Sequence, residues 1–110
     1  MFMKYLINES QRDKLKNVAF QYLDNISKYW TIDYFNFDEI RITDGDEFVM
    51  DYSTNEKFSE NEIHNILKVN SILVEMISGM FPFVDEYDIM EWFNKEYNRD
   101  ADMVDVDYED

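Results

Sequence analysis

The side chains best suited to chemistry in this sequence are a single histidine, His64, and a large excess of carboxylates; there is no cysteine. Without cysteine there is no thiol nucleophile, disulfide or thiolate zinc site. A general-base histidine needs an orienting partner and a nucleophile or substrate within hydrogen-bond reach. Sequence offers neither around Ile63-His64-Asn65, so a solvent-facing or partly covered role is expected of His64. Two acidic runs have the composition of hard-cation ligands, Asp44-Gly45-Asp46-Glu47 and Asp100 to Asp107. The first is accounted for by a turn, and the second lacks the glycine and distal glutamate of an EF-hand loop. With 25 acids in 110 residues, a pair of carboxylates at a catalytic spacing carries no information. No catalytic residue, metal site or cofactor is expected, and the chain reads as a non-enzyme.

What the acids do set is a field. The formal net charge is −15. Through Asp38 five cations balance five acids, whereas from Glu39 onward twenty acids face only Arg41, Lys57, Lys68, Lys95 and Arg99. Such a field repels nucleic acid and anionic membrane and attracts basic protein surfaces, which are the expected partner. Aromatic residues make up 17% of the chain, enough to oppose disorder despite the charge. Neither Met1 to Ile7 nor Ile72 to Val84 has the length and polarity of a signal peptide or bilayer span, so a soluble protein is expected.

The elements that must position these groups follow from periodicity. Lys4 to Ile7 reads as a strand, and Ser10 or Asn8 as the cap of a helix that packs through Leu15, Val18, Ala19, Tyr22, Ile26 and Tyr29. After the aromatic connection Tyr29 to Phe37, the runs 39–43 and 46–52 flank Asp44-Gly45, a hairpin signal. Ile40, Ile42, Phe48, Met50 and Tyr52 are expected on its buried face. Ser53 to Phe58 reads as a polar loop, and Ser59 with Glu62 as the capping box of a long second helix through Ile63, Ile66, Leu67 and Ile72 to Met80. Gly79 and Pro82 end it, and Asp85 caps a third helix packed through Ile89, Met90, Trp92, Phe93 and Tyr97. The expectation is an α+β fold in which a small, mainly antiparallel sheet, the N-terminal strand plus the Asp-Gly hairpin, packs against three helices. One globular domain spans 1–99, and 100–110 is an acidic tail.

Candidate partner-binding residues fall in three groups. Asp85, Glu86 and Asp88 sit in the first turn of the third helix, where the macrodipole alone explains them, and Glu91 lies on a solvated face. Asp100, Asp102, Asp105, Asp107, Glu109 and Asp110 populate the tail, either a frayed solubilising end or an added strand. If extended, Asp105 and Asp107 share one side at about 6.6 Å, twice the rise per residue and of the order of the spacing of phosphates along a nucleic-acid strand. Trp30 and Phe35, in the aromatic connection, offer apolar contact area if they escape the core.

Lys4-Tyr5-Leu6-Ile7-Asn8-Glu9-Ser10-Gln11 resembles the opening of small uncharacterised proteins encoded by large tailed bacteriophages. Met76-Ile77-Ser78-Gly79-Met80-Phe81, followed by acids and by Trp92 and Tyr97, is similar to their later helical part. The resemblance implies a phage origin and no site residues, and the chain after Arg99 departs from it. Two functions are expected to compete. The first is a binding protein of the bacterial host cytoplasm that engages a basic surface on a host or phage protein, as a nucleic-acid mimic inhibiting a defence or replication factor. The second is a virion structural or assembly component docking through aromatic surface.

Overall fold

The computed structural model describes residues 9–36 and 38–108; the strand expected over Lys4–Ile7, the Asn8 cap, Phe37, Glu109 and Asp110 lie outside the described residues. Helix α1 (Glu9–Ile26) continues into a single tight turn over Ser27–Tyr29. Strands β1 (Thr31–Asn36), β2 (Glu39–Asp44), β3 (Glu47–Ser59) and β4 (Glu62–Asn70) follow, then helices α2 (Ser71–Met80) and α3 (Glu86–Tyr97), and last strand β5 (Met103–Asp107). The five strands form one sheet in the order β1-β2-β3-β4-β5, antiparallel except for the parallel β4–β5 pair. The α+β class and mainly antiparallel sheet expected from sequence are therefore present, with a different set of strands.

Three cross-strand rows define the sheet. Ile32, Ile42, Met50, Val69 and Val106 are successive partners, as are Tyr34, Ile40, Tyr52, Leu67 and Val104. Both rows face the helices, and Ile40, Ile42, Met50, Leu67 and Val69 are wholly buried. The row between them, on the opposite face, is Asp33, Arg41, Asp51, Lys68 and Asp105. Because the side-chain period of a strand is two, a slip of one residue would bury five charges and expose two apolar rows, so this alternation specifies the register.

The segment 53–70 departs most from expectation. Ser53 to Phe58 is not a loop but the far half of β3, and Ser59 and Glu62 do not cap a helix: they pair with each other where β3 meets β4. Ile63, Ile66 and Leu67 have helical spacing, yet Leu67 and Val69 alternate with Ile66 and Lys68. Alternation prevails because β4 pairs on both sides, with β3 and β5. The second helix begins only at Ser71, capped by Asn70, whose Oδ1 accepts the Ile72 amide at 2.7 Å. α2 buries Leu73, Val74 and Ile77 and leaves Ile72, Met76 and Met80 exposed, so it is a one-sided helix rather than a central one.

α3 matches its reading. Asp85 is the N-cap of a reciprocal capping box with Asp88, and Ile89, Trp92 and Phe93 are buried. α1 is rotated from the expected face: Ala19 and Leu23 are wholly buried, whereas Val18 and Tyr29 are exposed. Packing against α3 sets that rotation, through the Trp92 indole Nε1 donating to Asp24 Oδ1 at 2.9 Å and through the Lys16–Glu91 ion pair at 3.2 Å.

Candidate functional site

The expected acidic contact residues separate into those engaged within the fold and those directed outward. Asp85 Oδ1 accepts the amides of Tyr87 and Asp88, and Asp88 Oδ2 accepts the Asp85 amide. Desolvation raises the Asp88 carboxyl above its ordinary value, against the opposing effect of that amide bond. Glu86 is partly covered in the same turn. Glu91 pairs with Lys16, and that hydrogen bond is the largest influence holding the ammonium above its usual value. These acids sit at one end of α3, while Asp105 and Asp107 lie on the sheet. Among the described residues the set is divided between α3 and the segment that runs into β5.

The segment before β5 is clamped by two asparagines that the charge-based reading passed over. Asn65 Oδ1 accepts the amide of Asn55, a bulge residue at φ 56°, and Asn65 Nδ2 donates to the Asp100 carbonyl. The Asn65 amide donates to Asp102 Oδ1, and the Asp102 amide donates to the Asn65 carbonyl at 2.8 Å. On the other side Asn94 grips the Ala101 backbone at both ends, donating to its carbonyl at 2.9 Å and accepting its amide at 2.8 Å. An asparagine inside each of two otherwise patterned elements was the available signal, since a polar side chain there must satisfy backbone groups.

His64 lies in β4, half-buried, and not at the start of a helix. Its Nδ1 is 3.0 Å from Asp102 Oδ1 and its Nε2 is 3.7 Å from Glu62 Oε2, with Glu56 opposite in register. The ring therefore joins the strand to the segment feeding β5 and is surrounded by acids rather than by a nucleophile. Among the described residues no group of three or more histidines and carboxylates is placed to hold a metal ion, and no helix is long and apolar enough to cross a membrane.

β5 fixes Asp105 and Asp107. Val104 and Val106 pack against the core, so Met103, Asp105 and Asp107 share the opposite, open face. Asp105 stands beside Lys68 and helps line a shallow hollow of about 230 Å³ with Asp51 and Glu56. Arg41 bridges to Asp51 at 3.2 Å in the same charged row.

A second, apolar concavity of about 430 Å³ lies between the end of α1, the β2–β3 hairpin and α2. Trp30 lines it, held from behind by an edge-to-face contact with Trp92 at 6.0 Å. Trp30 is partly covered, and Phe35 falls within strand β1 at the edge of the sheet. A register shift between Ile42 and Thr43 moves pairing from Met50 to Phe48, which lets both Phe48 and Val49 line the wall. That shift also explains why the strict alternation expected of Phe48 and Val49 fails. Asp44 and Glu47 stand at the rim. No protein-family model matches this chain, and neither the curated proteins nor the solved structures yield a match.

Proposed function

We propose that this protein acts by binding rather than catalysis, and that its partner is a basic surface on a host or phage protein in the bacterial cytoplasm. Its sharpest form is mimicry of nucleic acid, which would inhibit a defence or replication factor. The observation that carries this reading is the net charge of −15 on a chain in which Met103–Asp107, within the acidic tail, is held as a strand. Strand geometry keeps Asp105 and Asp107 on one face at about 6.6 Å, and ordering them before contact lowers the entropy lost on binding. Asp85, Asp88, Glu91 and Asp102, engaged by neighbours, contribute through the long-range field more than through direct contact. The projecting end of the β3–β4 hairpin, with Glu56, Glu60 and Glu62, extends the same field beyond the body of the sheet.

The second reading, a virion assembly component, is favoured by one observation: Tyr29, Ile72, Met76 and Met80 are exposed apolar groups. Docking through them would survive high salt, whereas binding to a basic groove would not.

The test is capture of partners from bacterial lysate on the immobilised protein at low salt, with elution by salt and then by duplex DNA. The comparison is the Asp105→Asn/Asp107→Asn variant. Truncation before β5 is the wrong control, because it would strip the partner strand from Leu67 and Val69. Recovery of a nucleic-acid-binding protein that DNA displaces, and that the variant holds less well, is the expected outcome. A partner retained in high salt and indifferent to the substitutions would favour the assembly component.

A further inference from the structure

We infer that the concavity between α1, the β2–β3 hairpin and α2 is a docking site for a basic protein segment that inserts one aliphatic or aromatic side chain and sets a lysine or arginine against Asp44 and Glu47. This deepens the basic-partner reading and rests on it. The volume of about 430 Å³ lies within the range of built ligand sites and accommodates a large side chain with its neighbours. Ile26, Trp30, Phe48, Leu73 and Met76 supply an apolar lining, and Met76 adds a side chain that adapts to irregular shapes.

The walls are fixed before anything binds. Buried Asn70 donates to the Phe48 carbonyl at 2.7 Å while its Oδ1 caps α2, tying the hairpin to the helix across the floor. The bulge at Ile42/Thr43 brings Phe48 and Val49 to the same wall, a use to which bulges beside sites are often put.

Charge complementarity selects the occupant. Two carboxylates and no cation line the concavity, and neither Asp44 nor Glu47 has an ion pair among the described residues. Desolvating an acidic rim against an acidic or neutral partner would cost free energy, whereas a cation placed there gains a partner in a partly water-excluded setting. A second copy of the chain would bring another −15 of charge to the same rim. Tyr29, 82% exposed, and Ile72, 61% exposed, continue the apolar surface past the lip, an area that a polypeptide covers and a small amine does not.

The experiment measures binding of labelled short peptides to the full chain by fluorescence anisotropy. One peptide has a leucine flanked by lysines; in the others the leucine becomes serine or the lysines become glutamates. The leucine peptide should bind about ten- to a hundredfold more tightly than the serine peptide, the value of burying one such side chain. Ile72→Lys should abolish that advantage, and being exposed the position tolerates the change; Asp44→Asn/Glu47→Gln should weaken binding severalfold and flatten its salt dependence. Equal binding of the leucine and serine peptides, unaffected by Ile72→Lys, would overturn the docking site while leaving the basic-partner reading standing. Binding of neither peptide would overturn both. Equal binding of the glutamate-flanked peptide, or a dimer in sedimentation that Ile72→Lys dissolves, would overturn the stated occupant.

Discussion

The two faces of the sheet are built from interleaved residues of the same strands and use opposite physics. The helix-covered face carries two apolar rows whose central members are wholly buried. The open face carries the row Asp33, Arg41, Asp51, Lys68, Asp105, in which charge alternates strand by strand. Arg41 and Lys68 offset two of the three acids in this row, and Asp107 adds a further carboxylate on the same face at the β5 edge. Unbalanced charge is therefore concentrated at the β5 edge of this face, at the hairpin ends and at the start of α3. Counting acids along the chain does not reveal that division, because it depends on which strands are neighbours.

The comparison breaks most visibly when one residue is removed from each face. Leu67→Ala or Ile42→Ala should cost about 2–5 kcal/mol in denaturant unfolding, through lost transfer energy and a residual cavity. Arg41→Ala, which removes an exposed partner of Asp51, should cost at most about 1 kcal/mol, and less as salt is added. A large, salt-insensitive loss at Arg41 would mean that the charged row carries the fold.

The next effect separates the interior strands from β5. Asn94→Ala removes two side-chain hydrogen bonds to the Ala101 backbone, and Asn65→Ala removes one to the Asp100 carbonyl and one from the Asn55 amide in β3; either should cost about 1–3 kcal/mol. Hydrogen exchange at Val104 and Val106 should accelerate while amides of β2 and β3 remain protected, since the loss is local. Uniform acceleration through the sheet would show β5 to be cooperative with the rest.

A third, smaller effect is read from pH. Burial pushes the Tyr97 hydroxyl up to about 12 and raises that of Tyr52 in the same direction. A folded pKa above the unfolded one gives stability that is complete below the unfolded value near 10 and is lost as pH rises through the folded value. The unfolding midpoint should therefore fall between about pH 10 and 12. Tyr97→Phe should remove part of that fall, checked by tyrosinate absorbance alongside thermal melts.

Much of this architecture was legible where one periodicity stood alone. α3 was readable because Asp85, Asp88 and the apolar spacing through Tyr97 agree, and β2 because Ile40 and Ile42 alternate with Arg41 and Thr43. β4 was not, because Ile63, Ile66 and Leu67 satisfy the helical period in a strand whose second neighbour, β5, pairs with it from 37 residues further along the chain. The open-face charge row needed cross-strand register, and the apolar concavity needed a bulge; neither is visible along a single chain. Asp105 and Asp107 were readable as a spaced pair, but the clamp by Asn65 and Asn94 that orders them depends on side chains reaching backbone from other elements.

The most direct test of the basic-partner account is displacement. Labelled duplex DNA is bound to a fraction of bacterial DNA-binding proteins, this protein is titrated in, and anisotropy is followed at rising salt. The account predicts release of DNA at low salt, weaker release by Asp105→Asn/Asp107→Asn, and loss of the effect as salt screens the field. DNA that stays bound at low salt however much of this protein is added, or is released equally well by the neutralised variant, would contradict it.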